Sequence, residues 1–228
     1  MTPFFFGTGA RRLFGAYTPA QSAIAAGTFP AAQAVVVCPP WGQEHLRAHR
    51  SLHRLASELA GAGRHVLRFD YYGTGDSGGD MLDADLEGWS NDIVTAIQEL
   101  KDSAEVKRVA LVGLRLGATL AAAVAARRKD VSALVLWDPL LSGTQQELLG
   151  FTPTPTMATQ LAALTLQSSE LPPRTLAITS QRVATDPLPV GVTAEAIEAP
   201  PAWIEEQGFG AGAVPARLLR RIVEWLQT

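Results

Sequence analysis

The chain has 228 residues, 47% hydrophobic and 18% charged, which is enough apolar material for one substantial core and a length that fits one compact domain over 1–228. With 19 Lys and Arg against 22 Asp and Glu the formal charge is −3, so no global basic field exists to hold nucleic acid or an anionic membrane. The single cysteine, Cys38, excludes an internal disulfide, and no apolar run is long enough for a signal-sequence core or a membrane span, so the expectation is a cytoplasmic protein.

The opening stretch FFFGTGARRLFGAYTP alternates in places around a glycine-centred break and predicts an antiparallel hairpin at a sheet edge. Short apolar runs follow at Ala34–Cys38, His65–Phe69, Arg108–Leu114, Ser132–Trp137 and Thr175–Thr179. Most are apolar at successive positions, as strands buried on both faces must be. Helical patterns over Glu44–Ala62, Leu86–Lys101 and Leu116–Lys129 separate them, and right-handed crossovers then give a mostly parallel α/β sheet with helices on both faces.

After the first parallel strand, VVVCPPWGQEH places two prolines in the loop, so the Trp41 amide is its available backbone donor. Cys38 ends an apolar strand with no base beside it and reads as a buried thiol. His45, His49 and His53 recur at i, i+4 and i+8. A helical projection puts His45 and His49 on the inward side with Leu52, Ala56 and Leu59, and without H-E-x-x-H or a distant carboxylate the spacing is not read as a metal site. His45, in the first helical turn, is the candidate for lining a pocket or moving a proton, and Glu44 beside it could activate water.

FDYYGTGDSGG contains G-x-G-x-x-G at Gly73, Gly75 and Gly78, but acidic residues follow where a dinucleotide site needs a helix N-terminus facing pyrophosphate. The glycines are expected to shape a tight loop capped by Asp70 and Asp76, with no cofactor bound.

GLRLG, Gly113–Gly117, stands between an apolar strand and a small-residue helix. Glycines so placed tolerate a sharp strand-to-helix turn that lifts the central side chain above the sheet, with the next amide, that of Leu116, pointing at a reacting oxygen. The central residue is Arg115, which is always protonated and carries no lone pair for attack. It can grip a carboxylate or phosphate bidentately, or else form an internal ion pair. Asp138 and Asp186 follow the next two strands and are candidate acids, but every histidine (45, 49, 53 and 65) precedes the turn, so no Ser-acid-His order can be assembled. The Thr- and Pro-rich stretch within 140–173 reads as a cap over the strand ends. A final amphipathic helix begins at Pro215.

Together, CPPWGQE, RFDYYGTGDSGG and GLRLGA resemble the α/β-hydrolase superfamily over almost the whole chain, and more narrowly the bacterial exosortase-associated hydrolases, whose first hairpin the opening segment also resembles. The resemblance implies an ester, thioester or related acyl substrate, no cofactor, and a pocket at the C-terminal strand ends. Carried over position by position, it puts the nucleophile position on Arg115, the oxyanion donors on the Trp41 and Leu116 amides, the acid on Asp186, and the histidine near WIEEQGFGAG, where Gln207 is the nearest polar substitute. Three functional expectations follow. The first is an acyl or anionic ligand held through Arg115 by a protein that has lost serine hydrolysis. The second is an unconventional ester or thioester hydrolase or acyltransferase using His45, Cys38 or water activated by Glu44 or Asp138. The third is a partner-binding protein using 140–173.

Overall fold

The computed structural model describes residues 1–21, 33–146, 148, 151–166, 170–181, 192–206 and 210–228. Eight strands form one sheet: β1 (Thr2–Thr8), β2 (Arg11–Thr18), β3 (Gln33–Cys38), β4 (Arg64–Phe69), β5 (Val109–Leu114), β6 (Val131–Trp137), β7 (Thr175–Thr179) and β8 (Thr193–Ala196). Their order is β1-β2-β4-β3-β5-β6-β7-β8. β1 and β2 form the antiparallel edge hairpin, β2 joins β4 antiparallel, and every later pairing is parallel. Strand β8 has no counterpart in the sequence reading, because its TAEA is short and mostly exposed, as an edge strand can be.

Helices α1 (Gln43–Gly61) and α5 (Ala216–Gln227) cover one face. They bury Leu52, Leu55, Leu59, Leu218 and Ile222 against Val35, Val37, Val112 and Val135. Helices α2 (Leu86–Ser103) and α3 (Leu116–Ala125) cover the other, with Trp89, Ile93, Ile97 and Leu120 on Val36, Leu111, Leu134 and Leu136. Consecutive residues of β3 thus serve opposite layers, which is why it is apolar throughout. α3 ends at Ala125, four residues before the expected limit; Arg128 there turns back to donate to Asp130.

The 140–173 segment is less superficial than the sequence implied. It contains a nine-residue helix α4 (Pro155–Ala163), capped by the Thr154 hydroxyl on the Met157 amide. Leu140, Met157 and Leu161 are buried in the α2–α3 layer.

The inward stripe of α1 is also corrected. Glu44, Ala48, Ser51, Leu52 and Leu55 are buried, whereas His49 and His53 are exposed. The i, i+4, i+8 spacing of the histidines shows that they share a face, but the direction of that face is set by the larger apolar stripe one position away. Among the described residues, no helix is long and apolar enough to cross a membrane.

Candidate functional site

Parallel strands leave the C-terminal ends of β3, β5 and β6 side by side, and three loops there carry the charged groups singled out in the sequence. At the end of β5, Arg115 has φ 54° and ψ −122°, a conformation that side-chain-bearing residues rarely adopt. Its amide donates to the Trp137 carbonyl at 3.0 Å, which ties the turn to β6. The flanking glycines are sterically required: a Cβ on Gly113 would meet the Ala118 backbone, and one on Gly117 would meet the carbonyls of Cys38 and Pro39. α3 therefore starts in contact with the loop after β3. Among the described residues, neither the Trp41 nor the Leu116 amide has an acceptor.

The Arg115 side chain is 10% exposed. Its Nε and Nη2 donate to Oε1 of Glu44, at 3.2 and 3.1 Å, and Nη2 also donates to the Gln145 carbonyl at 3.1 Å. The Trp203 ring lies against the guanidinium, 3.8 Å from Cζ to the ring centroid. Glu44, in the first turn of α1, is fully buried. Of the two roles open to Arg115, the structure makes the internal ion pair.

Asp138, at the end of β6, also has a positive φ, 43°. Its carboxylate accepts from the Ser180 amide and hydroxyl, both at 2.7 Å, and from Trp203 Nε1 at 3.2 Å. Burial pushes its pKa up, against these hydrogen bonds and the positive charge of Arg115. Trp203 thus bridges the two ends of the network, stacking on Arg115 and donating to Asp138. Ser180, Trp203 and Gln145 were not singled out from sequence, since two act through ordinary polar side-chain or indole contacts and one through its carbonyl. Asp186 and Gln207 lie outside the described residues.

On the other side of the β3 loop is a cavity of about 670 Å³, whose lining includes Trp41, His45, Asp70, Arg68 and Phe151 but not Arg115 or Leu116. His45 Nε2 lies 3.7 Å from Asp70 Oδ1. Burial lowers the His45 pKa, opposed by Asp70 and reinforced by His49 and Arg68, which favours the neutral imidazole. Asp70 Oδ2 accepts from the Asp76 amide at 3.0 Å, so Asp70 caps the glycine loop as expected while Asp76 contributes its backbone, not its carboxylate. Gly73 and Gly75 both have positive φ, and a short turn at Met81–Asp83 follows where a dinucleotide site would have its helix. Cys38 is fully buried and its thiol pKa is raised by burial, an inert environment. Among the described residues, no group of three or more His, Cys, Asp or Glu is arranged to hold a metal ion.

The model of the serine aminopeptidase S33 family, one of the α/β hydrolases, matches residues 30–189. The chain belongs to this family. Among solved structures, the S33-family chain is similar to Est1E from Butyrivibrio proteoclasticus, a structure with bound ferulic acid, at TM-score 0.68 and 15% identity over 98% of this chain and 96% of that one. It is similar to mouse α/β hydrolase domain-containing protein 10 at TM-score 0.66 and 15% identity, covering 99% and 98%. XC6422 from Xanthomonas campestris, an α/β serine hydrolase without lid, matches at TM-score 0.63 and 16% identity, covering 99% and 91%. At these identities the likeness establishes the fold. No curated protein sequence matches the chain significantly.

Proposed function

We propose that this α/β-hydrolase-fold protein has lost serine-type hydrolysis and acts by binding an acyl ligand in the cavity beside Trp41 and His45. The observation that carries the reading is the Arg115–Glu44 pair at the β5–α3 turn, the position that the resemblance assigns to the nucleophile. A guanidinium cannot attack an acyl carbon. Nor is this one suited to gripping a ligand anion, because two buried carboxylates, Glu44 and Asp138, already face its single positive charge. Ligand capture through Arg115 is accordingly not part of the reading. Residues 1–228 act as one domain in it, with 140–173 as the cap that supplies the Gln145 carbonyl to Arg115 and lays Phe151 over Gly42. The exosortase-associated branch and a cytoplasmic location belong to the same proposal and rest on the sequence motifs and the lone cysteine.

The test is to incubate the protein with p-nitrophenyl esters, acyl thioesters and a fluorophosphonate probe. The expected result is neither turnover nor labelling. Labelling, or turnover lost in Arg115→Ala, overturns the reading.

A second reading is favoured by the Asp70–His45 contact. A His45 held toward the neutral form, 3.7 Å from Asp70 and beside Trp41 in the cavity lining, has the parts to activate water for ester or thioester hydrolysis. Turnover that survives the fluorophosphonate and disappears in His45→Ala establishes it over the first.

A further inference from the structure

The cavity has a chemical polarity that narrows its ligand. Strand register aligns Pro3 with Ala16, Ala16 with Arg68, and Arg68 with Val37, so that four side chains form one lateral row across β1, β2, β4 and β3. All four line the cavity, and Phe14, one pleat along, extends the same apolar floor. The opposite wall is the outward side of α1, with Leu46, His49, Arg50 and His53. The edge hairpin extends the sheet past the helix that covers its centre, and a groove is left between them.

Arg68 is the unusual member. It is half-buried in the floor, and its Nε is buried without an acceptor among the described residues. Its Nη2 donates to the Met1 thioether sulfur, at 3.4 Å. Among the described residues Arg68 has no carboxylate at ion-pair distance, and neither has Arg50, the other arginine of the lining. The acidic groups of the cavity are Asp70 and Asp76; Asp70 accepts from the Asp76 amide and lies outside ion-pair distance of Arg68, though its charge acts on that guanidinium. The Arg68 Nε is left without an acceptor in a site partly withdrawn from water; burial, the largest influence, depresses the Arg68 pKa, and the charge of Asp70, two residues on, opposes that shift. The lining is apolar on the sheet side, and on the helix side His49, Arg50 and His53 stand with Leu46 and Leu52.

We infer that this groove binds an amphipathic anion, with a carboxylate or phosphate head group on Arg68 and an apolar body along Phe14, Ala16 and Val37. The inference rests on the binding reading above and names its ligand class. A bidentate head group supplies the acceptors that Arg68 lacks, and the half-buried Phe14 ring gains from covering.

Isothermal titration with decanoate, decyl phosphate, decanol and decyltrimethylammonium tests it, because the four share one chain and differ in head group. Decanoate or decyl phosphate is expected to bind, with the tighter of the two identifying the head group. Decanol is expected to bind about tenfold more weakly, the effect of losing a charge-assisted pair, and the cation weaker still. Arg68→Met, checked for folding by its melting transition, is expected to reduce the anion to the affinity of decanol, with Arg68→Lys recovering part of it. Equal binding of decanol and decanoate, no binding by either anion, or an Arg68→Met variant with unchanged anion affinity overturns the inference. If Arg68→Met does not fold, the head-group comparison on the unaltered protein decides it alone. Turnover of esters in the preceding assay would remove the binding-only function and leave the Arg68 result to stand or fall separately.

Discussion

Arg115 and Glu44, 71 residues apart, meet at 3.1 Å because β3 and β5 are neighbours in the sheet, which brings the first turn of α1 beside the turn that opens α3. Both side chains are buried, so the pair is held out of water. Removing one partner of such a pair is far more damaging than removing both, since it leaves an unbalanced charge out of water. Arg115→Met is expected to destabilise the fold by about 3–5 kcal/mol, and the double variant Arg115→Met with Glu44→Gln to recover a large part of that loss. Urea unfolding of the two variants and the parent measures it. Equal destabilisation by single and double variants would show that Glu44 is balanced by other groups.

Trp203 holds the same network from above. Trp203→Leu removes the ring over the Arg115 guanidinium and the indole donor to Asp138, and leaves a gap in the α1–α5 layer. The expected loss is about 2–4 kcal/mol, combining lost packing with one hydrogen bond to a charged group. Trp203→Phe, which keeps a ring, is expected to fall between the two, and denaturant midpoints of the three proteins rank them.

Gly117 tests the steric basis of the turn. A methyl group there has nowhere to go, since the obstructing atoms are the backbone carbonyls of Cys38 and Pro39. Gly117→Ala is expected to cost about 1–3 kcal/mol, despite the general preference of helices for alanine. A variant as stable as the parent in thermal unfolding would mean that the loop after β3 moves freely away from α3.

His45 is expected to make stability depend on pH. Its folded pKa lies below the ordinary 6.5, with burial as the largest cause. The unfolded chain therefore binds the proton more tightly, and stability falls as pH drops from about 6.5 through the folded value. His45→Gln is expected to flatten that part of the stability–pH curve and leave the region above neutrality nearly unchanged. An unaltered acid slope would place the titrating group elsewhere.

The legible part of the protein is the part fixed by neighbours in sequence. Val35–Val37 and Val109–Val112 are apolar at successive positions because each strand lies between two helical layers, and Gly113 and Gly117 announce a turn that only small residues permit. Strand β8 escaped because TAEA has neither length nor apolar character. His49 is exposed where an inward position was expected, because the buried stripe runs through Glu44, whose charge disguises an inward position, whereas His45 is half-buried.

Amino-acid order alone therefore determined the α/β layering, the edge hairpin and the sharp turn centred on Arg115, since pattern and turn chemistry operate over a few residues. Sheet order decided what that arginine does. It brought Glu44 from the first turn of α1, Asp138 from the end of β6 and Trp203 from the segment before α5 around one buried charge. No local signal encodes such a meeting, because the energy of an ion pair depends on distance and burial in the folded molecule rather than on separation along the chain.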